Sequence, residues 1–104
     1  PGSRRGQSGE EMIERHAGGW RVTVPMVMDN ARALFAAGED AIDGSFAVID
    51  LGGVPEADSS SLAVLMGWLR TAQTRGGCVS FRNAPPGVRA LVGLYDLDGI
   101  LPPA

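Results

Sequence analysis

Phe46-Ala47-Val48-Ile49-Asp50-Leu51 and, after the spacer 52–57, Asp58-Ser59-Ser60-Ser61-Leu62 decide the fold of this chain. The first stretch is short and nearly continuously apolar, the pattern of a strand buried on both faces. Beyond the second, Leu62, Leu65, Met66 and Leu69 recur at helical spacing and form one apolar stripe. Between strand and helix lie an acid and three hydroxyls, where a helix must find acceptors for its first free N–H groups. One capping residue meets that need. The surplus points to a helix N-terminus that carries or answers a negative charge.

Working outward, the segments 12–16 and 20–24 flank Ala17-Gly18-Gly19, and Arg21-Val22-Thr23-Val24 alternates polar with apolar, which predicts a hairpin. Pro25 ends its second strand. Asp29 or Asn30 is placed to cap a helix carrying Ala31, Leu34 and Phe35 that stops near Gly38. The helix after Ser59 is predicted to run to about Arg75, with Gly76-Gly77 ending it. Cys78-Val79-Ser80-Phe81 alternates as another strand, and Pro85-Pro86 opens a last helix with Val88, Leu91, Val92 and Tyr95 on one side. The tail 97–103 is apolar enough to dock but too rich in Pro for a central strand. The order is strand, strand, helix, strand, helix, strand, helix, and the strand–helix–strand crossover between 46 and 82 requires parallel pairing with a right-handed connection. The expected fold class is α/β: a small mixed four-stranded sheet with helices packed on one face.

At 104 residues, 44% hydrophobic and 20% charged, the chain has the size and composition of one globular domain. Residues 1–9 lack Met and any apolar residue and are expected to be a disordered tail or vector remnant, leaving 10–104 as the domain. A net charge of −3, with the nine arginines scattered and no lysine, gives no footprint for nucleic acid. A lone cysteine, Cys78, forms no internal disulfide, and no apolar stretch approaches the roughly 20 residues that span a bilayer. A cytoplasmic protein without membrane insertion is expected.

Motifs for catalysis are missing. The sequence holds no phosphate-binding Gly-rich loop and no nucleophile elbow. One His and one Cys do not make a zinc site, so neither metal nor cofactor is expected. His16 is read as a solvated turn residue, Cys78 as a core thiol, and Asp50 as a turn-forming carboxylate bonded to nearby N–H groups. Asp58 and Ser59 have no basic partner in sequence and make a poor nucleophilic pair. On a helical wheel Val64 and Trp68 fall opposite the inward stripe, with Ser60, Ser61 and Thr71 as neighbours. Either they form a docking surface for a partner or the C-terminal tail covers the Trp.

Taken together these residues resemble a STAS domain, the fold shared by anti-sigma-factor antagonists and transporter-associated regulators, over about residues 11–102. The resemblance rests on Val48-Ile49-Asp50-Leu51 and then Asp58 to Leu65, which is similar to the family's Asp-Ser/Thr-x-Gly-Leu segment. It implies that Ser59 is the switch residue, with Asp58, Ser60, Ser61 and Asp29 supporting its loop. The tail from Leu91 to Pro102 and the segment from Val27 to Leu34 resemble MlaB-type members. These are small STAS subunits of the ABC transporter that moves phospholipids between the membranes of Gram-negative bacteria and keeps the outer membrane asymmetric. The resemblance thus implies a non-catalytic regulator whose partner is the transporter's ATPase subunit and, through it, the permease, at the cytoplasmic face of the inner membrane. Val64 and Trp68 would add apolar contact. The alternative is an anti-sigma-factor antagonist switched by phosphorylation of Ser59. Ser61 stands where the family usually has Gly, and Pro25 replaces a Gly common near the end of the second strand.

Overall fold

A computed structural model of the chain describes residues 12–94. Strands β1 (Ile13–His16) and β2 (Gly19–Val22) form the expected antiparallel hairpin, with Ile13 opposite Val22 and His16 opposite Gly19. Helix α1 (Met28–Ala41) crosses to β3 (Phe46–Asp50), which pairs parallel to β2. Helix α2 (Ser60–Thr74) crosses to β4 (Cys78–Arg82), parallel to β3, and α3 (Pro86–Leu94) follows. The sheet order is β1-β2-β3-β4. Fold class and element order are as the sequence implies. The tails 1–9 and 97–103, and Tyr95, lie outside the described residues.

The sheet buries one face. Trp20, Val22, Ile49, Val79 and Phe81 are in the core, while Arg21, Phe46, Cys78 and Arg82 between them are exposed. The expectation of a β3 buried on both faces is therefore corrected: Phe46 is 60% exposed, because an apolar run does not say whether helices cover one side or two. Cys78 is corrected likewise. It pairs with Phe46 in register and is an exposed thiol rather than a core one.

Trp68 joins the layers. Its indole is fully buried and its Nε1–H donates to the Phe35 carbonyl of α1 at 3.0 Å. The ring stands edge-on to Trp20 of β2, with centroids 5.7 Å apart and planes at 86°, a favoured aromatic geometry. Gly38 makes room for it, since a Cβ there would collide with the indole, and Gly67 meets the Phe35 ring in the same way, with 2.6 Å left for a Cβ. Gly38 is thus an interior residue of α1 and not its end: the Arg75 guanidinium donates at 2.7 Å to both the Glu39 and the Ile42 carbonyl, holding the last turn. Helices α1 and α2 lie side by side in the same direction, in contact from their N-termini to their C-termini.

The docking role expected of Val64 and Trp68 is corrected here. They are 2% and 0% exposed. The buried arc of α2 comprises Ser61, Leu62, Val64, Leu65, Trp68 and Ala72. At about 100° per residue it is turned by roughly 80° from the stripe of Leu62, Leu65, Met66 and Leu69. The reason is packing: α2 is enclosed by the sheet on one side and α1 on another, so its best apolar stripe does not mark its only buried side.

Replacing Gly38 by Ala is expected to lower stability by about 1–3 kcal/mol through overpacking against Trp68. Gly87→Ala, in α3 with nothing within 4 Å of the new Cβ, is expected to be neutral or to stabilise by up to about 1 kcal/mol. Urea unfolding of both variants checks the opposite signs.

Candidate functional site: a shared helix N-terminus

The loop after β3 runs back alongside the segment before α1. Met26 and Ala57 form a parallel bridge, the Met26 N–H donates to the Glu56 carbonyl at 2.9 Å, and the Asp58 N–H donates to the Met26 carbonyl at 3.1 Å. This pairing brings Asp58 to both helices. One carboxylate oxygen, Oδ2, accepts the Met28 N–H of α1 at 3.1 Å, and Oδ1 accepts the Ser60 N–H of α2 at 2.8 Å. A single acid thereby answers free donors at two helix N-termini.

The expected caps are revised accordingly. Asp29 lies exposed in the first turn of α1 and Asn30 turns away, its Nδ2 donating to the Pro25 carbonyl at 2.6 Å. The residue preceding α1 is Val27, which has no side-chain acceptor, so the acceptor comes from 30 residues away. Ser59 precedes α2 with helical angles, φ −63° and ψ −18°, and its hydroxyl makes no capping bond. It is exposed and lies between Asp58 and Ser60, with its backbone carbonyl taking the Leu62 N–H. Capping at α2 falls to Asp58. The Ser59 hydroxyl is left facing outward.

Ser60 is half-buried at the start of α2. Ser61, expected in the supporting loop, is inside the helix and 0% exposed, and its Oγ has no partner among the described residues. Burial without a bond is costly for a hydroxyl, so Ser61 supports packing and not the outer surface. Nearby, Met28 was not singled out in sequence, yet its side chain is 74% exposed. No periodicity identifies it. The only signal is a large apolar residue in the opening turn of a helix, ahead of the stripe that packs.

The Met28 and Ser60 N–H bonds hold the Asp58 carboxyl below the usual carboxylate range. Asp50 is the turn carboxylate that was expected: it accepts the Gly52 N–H at 2.8 Å and the Asn83 amide at 3.1 Å. Burial pushes its pKa up, but these bonds and the charges of Arg21 and Arg82 outweigh that and leave it lowered. His16 is exposed at the end of β1. A separate groove of about 330 Å³ lies between the later turns of α1 and α2, lined by Phe35, Glu39, Gly67, Arg70, Thr71 and Arg75, among others.

The family model described as "Mlab, STAS domain" matches residues 13–102. The chain belongs to the STAS-domain family. The STAS fold recurs in a Thermotoga maritima protein assigned as an anti-sigma factor antagonist, 18% identical, with a TM-score of 0.72 over 91% of this chain and 86% of that one. It recurs also in the anti-sigma factor antagonist SpoIIAA in its unphosphorylated form, 16% identical, with a TM-score of 0.68 over 88% of this chain and 85% of the other. At these identities the likeness is one of fold. No curated protein sequence matches this STAS chain.

Two outcomes test the site's energetics. Because the folded pKa of Asp58 lies below its unfolded value, the contribution is complete above the unfolded pKa and is lost as pH falls through the folded one. Asp58→Asn is therefore expected to be less stable than the wild type at pH 7, with the gap closing below about pH 4, as melting curves across pH will read. Ser61→Ala, which removes an unpartnered buried hydroxyl, is expected to raise stability by about 1 kcal/mol, measured by denaturant titration.

Proposed function

We propose that this STAS domain is a non-catalytic regulatory subunit that binds a partner protein through the surface around Ser59. The observation that carries the reading is the Ser59 hydroxyl, exposed and without a capping bond at the joint of two helix N-termini. Such a hydroxyl is available to a partner, and a charge placed on it is felt by both helices. The carboxylate beside it is committed to two backbone donors and held low in pKa, which makes it a weak base and disfavours a nucleophilic role for Ser59. A protein of this kind acts by preferring one conformation or assembly state of its partner.

The partner we propose is the ATPase subunit of a phospholipid-transporting ABC complex, and through it the permease, at the cytoplasmic face of the inner membrane. The family description, which names Mlab, supports this assignment. No described helix is long and apolar enough to cross a membrane. The second reading is an anti-sigma-factor antagonist switched by phosphorylation of Ser59, favoured by the likeness of fold to two proteins of that description. Phosphate would add about −1.5 to −2 charges at the helix joint.

Ser59→Glu is expected to weaken binding to the ATPase subunit by at least about tenfold, since a charge desolvated in an interface without a partner costs more than it returns. Global stability should fall by no more than about 2 kcal/mol, because an acid is tolerated at a helix N-terminus. Ser59→Ala should weaken binding less than this, by the worth of one neutral hydrogen bond, about 1 kcal/mol. Isothermal titration of each form against the ATPase subunit measures this. A chain that ignores the ATPase but takes phosphate on Ser59 from a serine kinase in its native host supports the second reading instead.

A further inference from the structure

We infer that Asp58 is a positioning residue that joins Met28 and Ser59 into one recognition surface, built for a protein partner with an apolar pocket rimmed by basic groups. The inference rests on the reading that this face docks a partner. Met28 is 74% exposed although it opens a helix whose other large apolar residues, Leu34 and Phe35, pack against the core. Its side chain is flexible and polarizable, suited to filling a pocket on another molecule. Its backbone is not free, since its N–H is held by the same carboxylate that holds the start of α2 next to Ser59.

The charges around it select the partner. Asp29, Glu56 and Asp58 are all exposed within three residues of Met28 or Ser59 along the two bridged segments. Arg32, one turn further along α1, is the one exposed base within four residues of either in sequence. Such a rim repels an anionic lipid surface and complements lysine or arginine on a protein.

A consequence follows for regulation. An anionic group at position 59 sits beside a carboxylate already using the N–H groups of Met28 and Ser60. Like charges at that spacing disfavour one another, and two donors do not satisfy both. The bond lost is the longer and more remote one, to Met28. A charge at Ser59 therefore loosens the opening turn of α1 and the methionine it carries, although Ser59 belongs to the other helix.

Amide hydrogen exchange on the full chain tests this in the wild type, Ser59→Glu, Asp58→Asn and the double variant. Each single change is expected to speed exchange of the Met28 amide roughly tenfold, as loss of a hydrogen bond to a charged acceptor implies, while the Leu65 amide in the core stays protected. The double variant should exchange like Asp58→Asn alone, because both act through one carboxylate. Unchanged Met28 exchange in Ser59→Glu, or effects that multiply in the double variant, overturns the coupling.

The partner class is read separately, with Met28→Ala, whose exposed side chain leaves the fold intact. Its affinity for the ATPase subunit is expected to fall about tenfold. Equal affinity overturns the anchor role. Sedimentation with phosphatidylglycerol vesicles should show no binding, and vesicle binding that Met28→Ala abolishes would reassign the surface to lipid. An ATPase that ignores even the wild-type chain counts against the proposed function, whereas the exchange measurement needs no partner and still decides the coupling.

Discussion

The seat of Trp68 is the constraint on which the rest of the structure depends. One side chain of α2 is held by a carbonyl of α1, lies over a glycine of α1 and meets Trp20 of the sheet edge-on. It therefore sets the distance between the two helices and the distance of both from the strands. With the middle of the pair fixed in this way, Asp58 reaches both N-termini and Arg75 reaches the last turn of α1. Polar pins at the two ends are short-range devices, and they work only because the packed centre has already brought the ends together.

From that arrangement comes the character of the site. The joint of α1 and α2 offers partial positive charge from two helix ends, answered by one carboxylate, with a hydroxyl left over. A surface built in this way sets a carboxylate already committed to two backbone donors next to an exposed hydroxyl that makes no capping bond. Its apolar component is Met28, supplied by the neighbouring helix. The face is thus composite, drawn from segments 30 residues apart and dependent on the bridge between Met26 and Ala57.

Much of this was legible in the order of residues. Alternation at Arg21-Val22-Thr23-Val24 and at Cys78-Val79-Ser80-Phe81, the apolar run at 46–51 and the apolar spacing at 62–69 marked β2, β4, β3 and α2, and the turn at 17–19, the apolar set of Ala31, Leu34 and Phe35 and the Pro85-Pro86 start marked β1, α1 and α3. The Asp58-Ser59-Ser60 cluster marked the candidate site. The misplacements share one cause. A helical wheel finds the most apolar stripe of a helix, but α2 packs on two sides, so Val64 and Trp68 lie in the core although they fall opposite that stripe. Local capping rules favour the nearest acid, but the acceptor at Met28 comes from Asp58, which no reading of residues 27–30 can reveal. Gly38 looks like a helix end until the indole that needs its space is in view.

By itself, then, the sequence determined what depends on neighbours along the chain: the type and order of elements, the parallel pairing that the crossover between 46 and 82 requires, and the serine-rich helix start. Only the tertiary structure decided what depends on neighbours across it. That set includes which side of the sheet stays open, that Trp68 is core like Trp20, which acid caps two helices, and which apolar side chain stands exposed at the start of α1. The physical reason is that local propensity and periodicity act over a few residues, whereas burial and shared hydrogen bonds are properties of surfaces that meet only after the chain has folded.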